Sequence, residues 1–186
     1  LVLCSHRNSS ASIVKELIKV GADPFALDSR DESALVKAAR VGNKPVLDII
    51  LGEYLSETRS DKPEESELHV DYWQAFRKSV AYGHWECTCS ILECCENPKQ
   101  LVNEAERGKG SALMIASYNG DVEMVNLLLE YGAIIDDHDS QRHTALALAI
   151  LRNNGHVASK LVSAGARTDL MIRLDSVETS LQTAFE

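Results

Sequence analysis

Two landmarks recur at the same spacing in the second half of the chain. Leu113 and Leu146 lie 33 positions apart, and so do Gly132 and Gly165. A fixed period of about 20–50 residues is the sequence signature of repeat proteins, in which one supersecondary unit stacks on copies of itself. The recurrence therefore predicts an array of stacked repeats rather than a single globular core.

The best-formed repeat runs from Ser111 to Ala133, and it predicts two short helices joined at Asn119-Gly120. Ser111 is a typical N-cap residue, so we expect its hydroxyl to accept a backbone N–H of the first helix. Gly132 should end the second helix in the left-handed conformation, which glycine adopts at low cost. The second helix has an apolar stripe too wide for one helix pair to bury, so each repeat needs neighbours.

The landmarks divide the whole chain into repeats with one insertion. The spacing from Leu35 to Phe76 is 41, and the excess over the period falls on an acidic segment at 56–68 that contains Pro63. We expect this insertion to be a mobile loop, because polar and charged residues cannot offset the entropy lost on ordering. The predicted repeats are 1–27, 28–55, 69–105, 106–138 and 139–171, and 172–186 is either the start of a further repeat or a capping helix.

Charge and cysteine usage restrict the partners that we expect. The formal net charge of −9 argues against nucleic-acid binding, which depends on Lys and Arg at the phosphates, and it favours a protein partner with a basic surface. No apolar run approaches the ~20 residues of a membrane span, so we expect no membrane association. Four of the five cysteines cluster within nine positions, unlike a secreted disulfide framework. Reduced thiols predict a cytoplasmic or nuclear protein, and we expect a monomer.

The landmarks belong to a longer motif. Ser111-Ala112-Leu113 and Thr144-Ala145-Leu146 resemble the Thr-Pro-Leu element of the ankyrin repeat family, with alanine in place of proline. Gly83-His84 and Gly155-His156 are similar to the Gly-His pair of that family, the second displaced by two positions. The segment Leu128 to Ala133 matches its Leu-Leu-x-x-Gly-Ala ending. The resemblance covers nearly the whole chain outside 52–69.

The resemblance implies a fold and a mode of binding. The fold is an all-α solenoid of stacked helix pairs with β-hairpin fingers, although Asp31, Lys109 and Arg142 replace the hairpin glycine. The implied function is protein–protein binding through the finger loops and the concave face of the first helices. The partner-binding residues carried over from the family are Arg30, Glu32, Arg40, Asp71, Trp73, Tyr82, Arg107, Tyr118, Asn119, Gln141, His143 and Arg152.

Three aromatic residues in this set come from neighbouring repeats. Trp73, Tyr82 and Tyr118 could together form one aromatic patch, and buried aromatic side chains dominate the energetics of many interfaces. In the alternative interpretation, Trp73 packs beneath the acidic insertion and the tyrosines merely cover the core. The sequence leaves both interpretations open.

Two clusters raise the possibility of metal binding. The four cysteines from Cys87 to Cys95 lie on a predicted helix, which seldom brings four thiols together, so we favour small side chains that fill the core. The acidic run Asp136 to Asp139 with His143 suggests metal or acid–base chemistry, but we favour a solvated finger that offers hydrogen bonds to a partner. His84 and His156 should hold backbone near the helix turn. We assign no catalytic residue, no metal ligand and no cofactor.

Three classes of function follow from these patterns. The favoured one is a protein-interaction module that is not itself an enzyme. The alternative is an interaction or substrate-recruiting domain of a larger enzyme whose catalysis lies outside this chain, and the third is a structural spacer. An aromatic-bearing concave face would favour binding over spacing, whereas a polar one would favour a spacer.

Overall fold

The computed structural model describes residues 11–55, 65–105 and 110–168 and, within them, every side chain except those of residue 54 and residues 65–68. Residues 56–64 of the insertion predicted at 56–68, the candidate residue Arg107 and the segment 172–186 lie outside the described residues. The chain forms two compact halves, Leu1–Leu101 and Val102–Glu186. The predicted aromatic patch draws on both halves, so it stays a prediction.

The N-terminal half is built from two rows of helices. The first helices of neighbouring repeats, α2 and α4, pack against each other, and the second helices α1, α3 and α5 pack in sequence along the other side. The helices are α1 (Ala11–Lys19), α2 (Ala34–Val41), α3 (Lys44–Leu55), α4 (Glu65–Ala81) and α5 (Trp85–Cys94), followed by the short α6 (Pro98–Asn103).

The C-terminal half repeats the same arrangement. The first helices α7 and α9 pack against each other, as do the second helices α8 and α10. The helices are α7 (Ala112–Asn119), α8 (Val122–Glu130), α9 (Ala145–Leu151) and α10 (Gly155–Ser163). The described residues contain no strand, only an isolated antiparallel bridge between His138 and Thr144. The all-α class of stacked helix pairs is therefore confirmed.

The repeat landmarks form the core of each half. Leu35 and Phe76 are fully buried in the N-terminal half, and Leu113 and Leu146 are almost fully buried in the C-terminal half. Alanines accompany them, because small side chains let the first helices of neighbouring repeats approach closely. The buried alanines include Ala38, Ala39, Ala116 and Ala149.

The predicted helix ends agree with the structure at the glycines and differ at Ser111. Gly132 and Gly165 have φ angles of 84° and 96°, which is the left-handed conformation expected after a helix. Ser111 occupies the N-cap position of α7, but its buried hydroxyl makes no capping hydrogen bond. The hydroxyls of Ser33 and Thr144 do accept such bonds, each from the backbone N–H group three residues later, at 3.3 and 3.2 Å.

Two tight turns precede first helices, and neither contains a hairpin glycine. The left-handed position is taken by Asp31, with φ 56°, and by Arg142, with φ 66°. In each turn the first residue is an aspartate whose side chain accepts hydrogen bonds from the backbone of the turn. The Oδ1 atom of Asp28 accepts the N–H groups two and four residues on, at 2.8 and 3.1 Å, and that of Asp139 accepts the equivalent pair, both at 2.8 Å.

The third repeat lacks this turn, and the prediction that the loop extends to residue 68 is wrong. Helix α4 is continuous from Glu65 to Ala81, so residues 65–68 are helical rather than part of a loop. For the same reason Asp71 and Trp73 lie on a helix and not on a finger. His69 stands where the second and fifth repeats have the turn aspartate, and it has no carboxylate that could accept two backbone N–H groups. The first helix therefore continues through the region where a finger would form.

Candidate interaction surface

In the second repeat, two of the candidate residues bind each other. Arg40 Nη2 lies 3.1 Å from Glu32 Oε2, with the arginine side chain 25% and the glutamate 14% exposed. The pair ties the turn to the end of α2. Arg30 is exposed at the tip of the same turn. Of these three residues, Arg30 is the one whose side chain remains available for a partner.

The carboxylate of Asp28 is the electrostatic centre of this turn. Its Oδ2 accepts a hydrogen bond from Lys37 Nζ at 2.8 Å, while its Oδ1 accepts the N–H groups of Arg30 and Glu32. The hydrogen bond from Lys37 and then the two backbone N–H groups lower the pKa of Asp28 from 3.8 to about 2. The ionised carboxylate of Asp28 therefore holds the turn at neutral pH.

The aromatic candidates of the third repeat differ in exposure. Tyr82 follows the end of α4 and is 57% exposed, with its ring stacked near that of His84 at a centroid distance of 6.4 Å. Trp73 is half-buried, the guanidinium of Arg77 lies 5.2 Å from its ring centroid, and its buried indole Nε1 finds no acceptor among the described residues. Asp71 is also half-buried. Tyr82 is therefore the exposed member of this group.

In the C-terminal half, two candidates form a stacked pair. The Arg152 guanidinium carbon lies 4.5 Å from the ring centroid of Tyr118, which is 46% exposed. Arg152 and Asn119 are exposed as well. Leu151, which was not among the predicted contact residues, is 39% exposed at the C-terminal end of α9. These side chains place an aromatic ring, a cation and an apolar group at the C-terminal ends of α7 and α9.

The turn of the fifth repeat uses most of its polar groups internally. Gln141 is exposed at the tip, but His143 Nδ1 lies 3.2 Å from Asp139 Oδ2 and both side chains are largely buried. Burial raises the pKa of Asp139, yet the hydrogen bonds from the backbone and ring of His143 and from the Gln141 N–H outweigh it and leave the pKa lowered. The Asp136 carboxylate accepts the Arg167 N–H at 2.9 Å. The described part of the chain holds no cluster of three or more His, Cys, Asp or Glu side chains arranged for a metal.

The cysteines of α5 are thiols in differing environments. Cys87 is buried, and burial raises its pKa to about 11. Cys94 and Cys95 are half-buried at the end of the helix, and burial raises the pKa of each thiol. Thiolate is the reactive form, so all three are poor nucleophiles at neutral pH.

Residues 76–172 match the family model described as ankyrin repeats, with three copies. This range covers more than half of the 186 residues. The chain belongs to the ankyrin repeat family. None of its described helices is both long and apolar enough to cross a bilayer.

Three relatives are similar to this chain over a small part of their own, much longer chains. An ankyrin repeat and KH domain-containing protein, mask-1 of Caenorhabditis elegans, is 27% identical over 92% of this chain. The glycerophosphocholine phosphodiesterase gde1 of Schizosaccharomyces pombe is 31% identical over 60%, and the mitochondrial disaggregase of Bos taurus 27% over 60%. The chain spans 7%, 10% and 16% of these relatives, respectively.

The ankyrin Gly-His position is filled by different residues in different repeats. His84 Nε2 lies 3.1 Å from the carbonyl oxygen of Arg40 in the preceding repeat, as expected. His156 is exposed and is not the residue that binds the preceding repeat. Asn154 binds it instead, because its Nδ2 donates to the carbonyls of Ser117 and Tyr118 at 2.9 and 3.0 Å.

The sequence carried a signal for this substitution. Asn153 lies 33 positions after Gly120 and shares its left-handed conformation, with φ 58° against 78°. The pair Asn153-Asn154 therefore occupies the register of the family's Gly-His, and the displaced Gly155-His156 is a coincidental match. Asn103 was also missed, although its amide joins the Gly132 carbonyl to the Ile134 N–H at 3.0 and 2.8 Å.

Proposed function

We propose that this chain is a protein-interaction module that binds its partner through the turn tips and the C-terminal ends of the first helices. Ankyrin repeats are generally protein-interaction modules. The observation that carries the proposal is the exposure of Tyr82 and Tyr118 at first-helix ends, one in each half. Large aromatic side chains in such positions contribute strongly when a partner buries them.

The proposal selects a subset of the residues suggested by the family resemblance. Glu32, Arg40 and His143 are engaged within their own repeats, and Trp73 is half-buried on α4. The exposed candidates form the proposed contact set. They are Arg30, Tyr82, Tyr118, Asn119, Gln141 and Arg152.

The main alternative is a recruiting domain within a larger enzyme. Two of the relatives are named as enzymes, a phosphodiesterase and a disaggregase, and the chain matches only a small part of each. In such a protein this chain would bind a substrate or regulator while another domain performs catalysis. We further propose that the chain acts as a monomer in the cytoplasm or nucleus.

A quantitative pull-down from cell lysate tests the proposal. The wild-type chain is compared with Tyr82→Ala, Tyr118→Ala and the double variant, since the two tyrosines belong to separate halves. Val162→Ala removes an exposed apolar side chain from α10 and serves as the matched control. We expect the double variant to lose most captured proteins and the control to retain them.

Circular dichroism and urea unfolding establish that every variant is folded before capture is compared. If the same proteins are captured in equal amounts by the folded double variant, the first-helix ends are not the binding surface. If neither tyrosine variant nor the wild type captures any protein above background, the chain is not an interaction module in that cell type's proteome and the proposal fails.

A further inference from the structure

The charge of the chain is unevenly distributed along its sequence. The formal net charge is −9, yet the segment from Gln141 to Thr168 contains no Asp or Glu. Helix α7 carries no charged side chain at all. The fifth repeat is thus a basic part of an acidic chain, with the cationic side chains Arg142, Arg152, Lys160 and Arg167.

Two of the acidic residues nearest in sequence to this surface make hydrogen bonds within the chain, whereas Glu123 on α8 is exposed. Asp121 caps α8 by accepting the Met124 N–H at 2.9 Å. Asp139 holds its own turn and pairs with His143. Arg152 pairs with no carboxylate in the described ranges 11–55, 65–105 and 110–168. Arg152 therefore presents an exposed positive charge at the end of α9.

The stacked geometry prepares Arg152 for one kind of contact. The guanidinium carbon lies over the Tyr118 ring, 4.5 Å from its centroid, and Arg152 as a whole is exposed. A guanidinium edge is a planar fork that matches a carboxylate, and stacking reduces the side-chain entropy lost on binding. Exposed Leu151 and the ring of Tyr118 supply apolar surface beside it.

Resting on the proposed interaction function, we propose that the ends of α7 and α9 bind an acidic segment of a partner protein, whose Asp or Glu carboxylate pairs with the Arg152 guanidinium stacked on Tyr118. The net charge of the whole chain suggests a basic partner, but the local charge decides which groups meet at this surface. A nucleic acid fits less well, because its binding requires several phosphate contacts while the acidic remainder of the chain repels it.

Paired peptides test this inference on the full 186-residue chain. The probe is an array of 12-residue peptides containing Asp or Glu, each beside a matched peptide with Asn or Gln, followed by fluorescence anisotropy on the binders. We expect the amide forms to bind about tenfold more weakly, the effect of losing one charge-assisted pair. Arg152→Gln should weaken the binding of the acidic peptides by a similar factor, and Arg152→Lys should weaken it by less.

Two further variants separate stacking and local pairing from general charge. Lys160→Gln removes one positive charge from α10 in the same repeat, and we expect it to change binding by less than about twofold, as for a distant exposed charge. Tyr118→Phe keeps the ring and should bind like the wild type, whereas Tyr118→Ala should bind more weakly.

Several results would overturn the inference. The inference is excluded if acidic and amide peptides bind equally well, or if no acidic peptide binds. It is also excluded if Lys160→Gln and Arg152→Gln weaken peptide binding by the same factor. Stronger competition by a single-stranded RNA 12-mer than by the acidic peptides would assign the surface to another class of ligand. If lysate proteins still depend on Tyr118 while acidic peptides fail, the interaction function stands and only the acidic partner is wrong.

Discussion

The carboxylate of Asp28 holds a turn in which Asp31, rather than glycine, takes the left-handed conformation. It binds two backbone N–H groups and Lys37, and this lowers its pKa from 3.8 to about 2 on folding. The unfolded chain then binds the proton more readily, so the stability from the ionised carboxylate is full above about pH 4 and is lost as the pH falls towards 2. We expect the free energy of unfolding to fall across this window, and to fall less steeply in Asp28→Asn. Urea unfolding of both proteins at several pH values measures the two slopes.

Gly120 and Gly165 form a matched pair for testing the contacts between repeats. Both have positive φ, but a Cβ on Gly120 would lie 2.8 Å from Asn154 Oδ1, whereas one on Gly165 meets no described atom within 4 Å. The left-handed conformation alone should cost each alanine variant roughly 1–2 kcal/mol. Gly120→Ala should cost about 1 kcal/mol more, because it displaces the two hydrogen bonds that Asn154 donates to α7. Equal losses in urea unfolding would show that Asn154 does not join these repeats.

At the residue scale, a conformation could be predicted from the sequence where a single residue type is strongly preferred for it. Gly132 was predicted in the left-handed conformation because only glycine adopts it without strain, and the structure agrees. Asp31, Arg142 and Asn153 take the same conformation without glycine, held by neighbouring hydrogen bonds that no single position reveals. The role of Asn154 was visible only through the register set by Gly120, and not through any motif.

At the scale of the helix, the apolar stripe of the second helices packs into the core together with the first helices. Leu128 on α8 is fully buried, whereas Leu151 on α9 is 39% exposed. Leu128→Ala should lower the free energy of unfolding by about 2–5 kcal/mol, the cost of a lost leucine plus a cavity. Leu151→Ala makes the same chemical change and should cost no more than about 0.5 kcal/mol. Urea unfolding of both variants decides, and a Leu128→Ala variant as stable as the wild type would mean that the core is misplaced.

Helix α4 marks the limit of prediction at the same scale. The landmarks at Leu35 and Phe76 predicted the first helices correctly, because buried residues must keep their register when repeats stack. The length of α4 was not predicted. The family resemblance implied a finger before the first helix of each repeat, and the absence of a turn aspartate at His69 was the available evidence against one in the third repeat. Local turn chemistry, rather than the period, decides where a finger forms.

At the scale of the whole molecule, the distribution of charge along the chain bears more on partner binding than the net charge does. The acidic residues lie mainly before the fifth repeat, while Arg152 and Tyr118 present a cation and a ring at the ends of α9 and α7. In the N-terminal half, Tyr82 presents a ring beside His84. Each half thus offers its own exposed surface at a first-helix end, so a partner could use either half alone.

The most direct test of the interaction account is hydrogen–deuterium exchange of the chain with the protein that it captures most strongly from lysate. Amides at first-helix ends, in 81–84, 117–120 or 151–154, should exchange more slowly in the complex than in the chain alone. Amides of the second helices α8 and α10 should change little, because those helices do not carry the proposed contacts. Slower exchange confined to α8 and α10, with all three first-helix ends unchanged, would contradict the account.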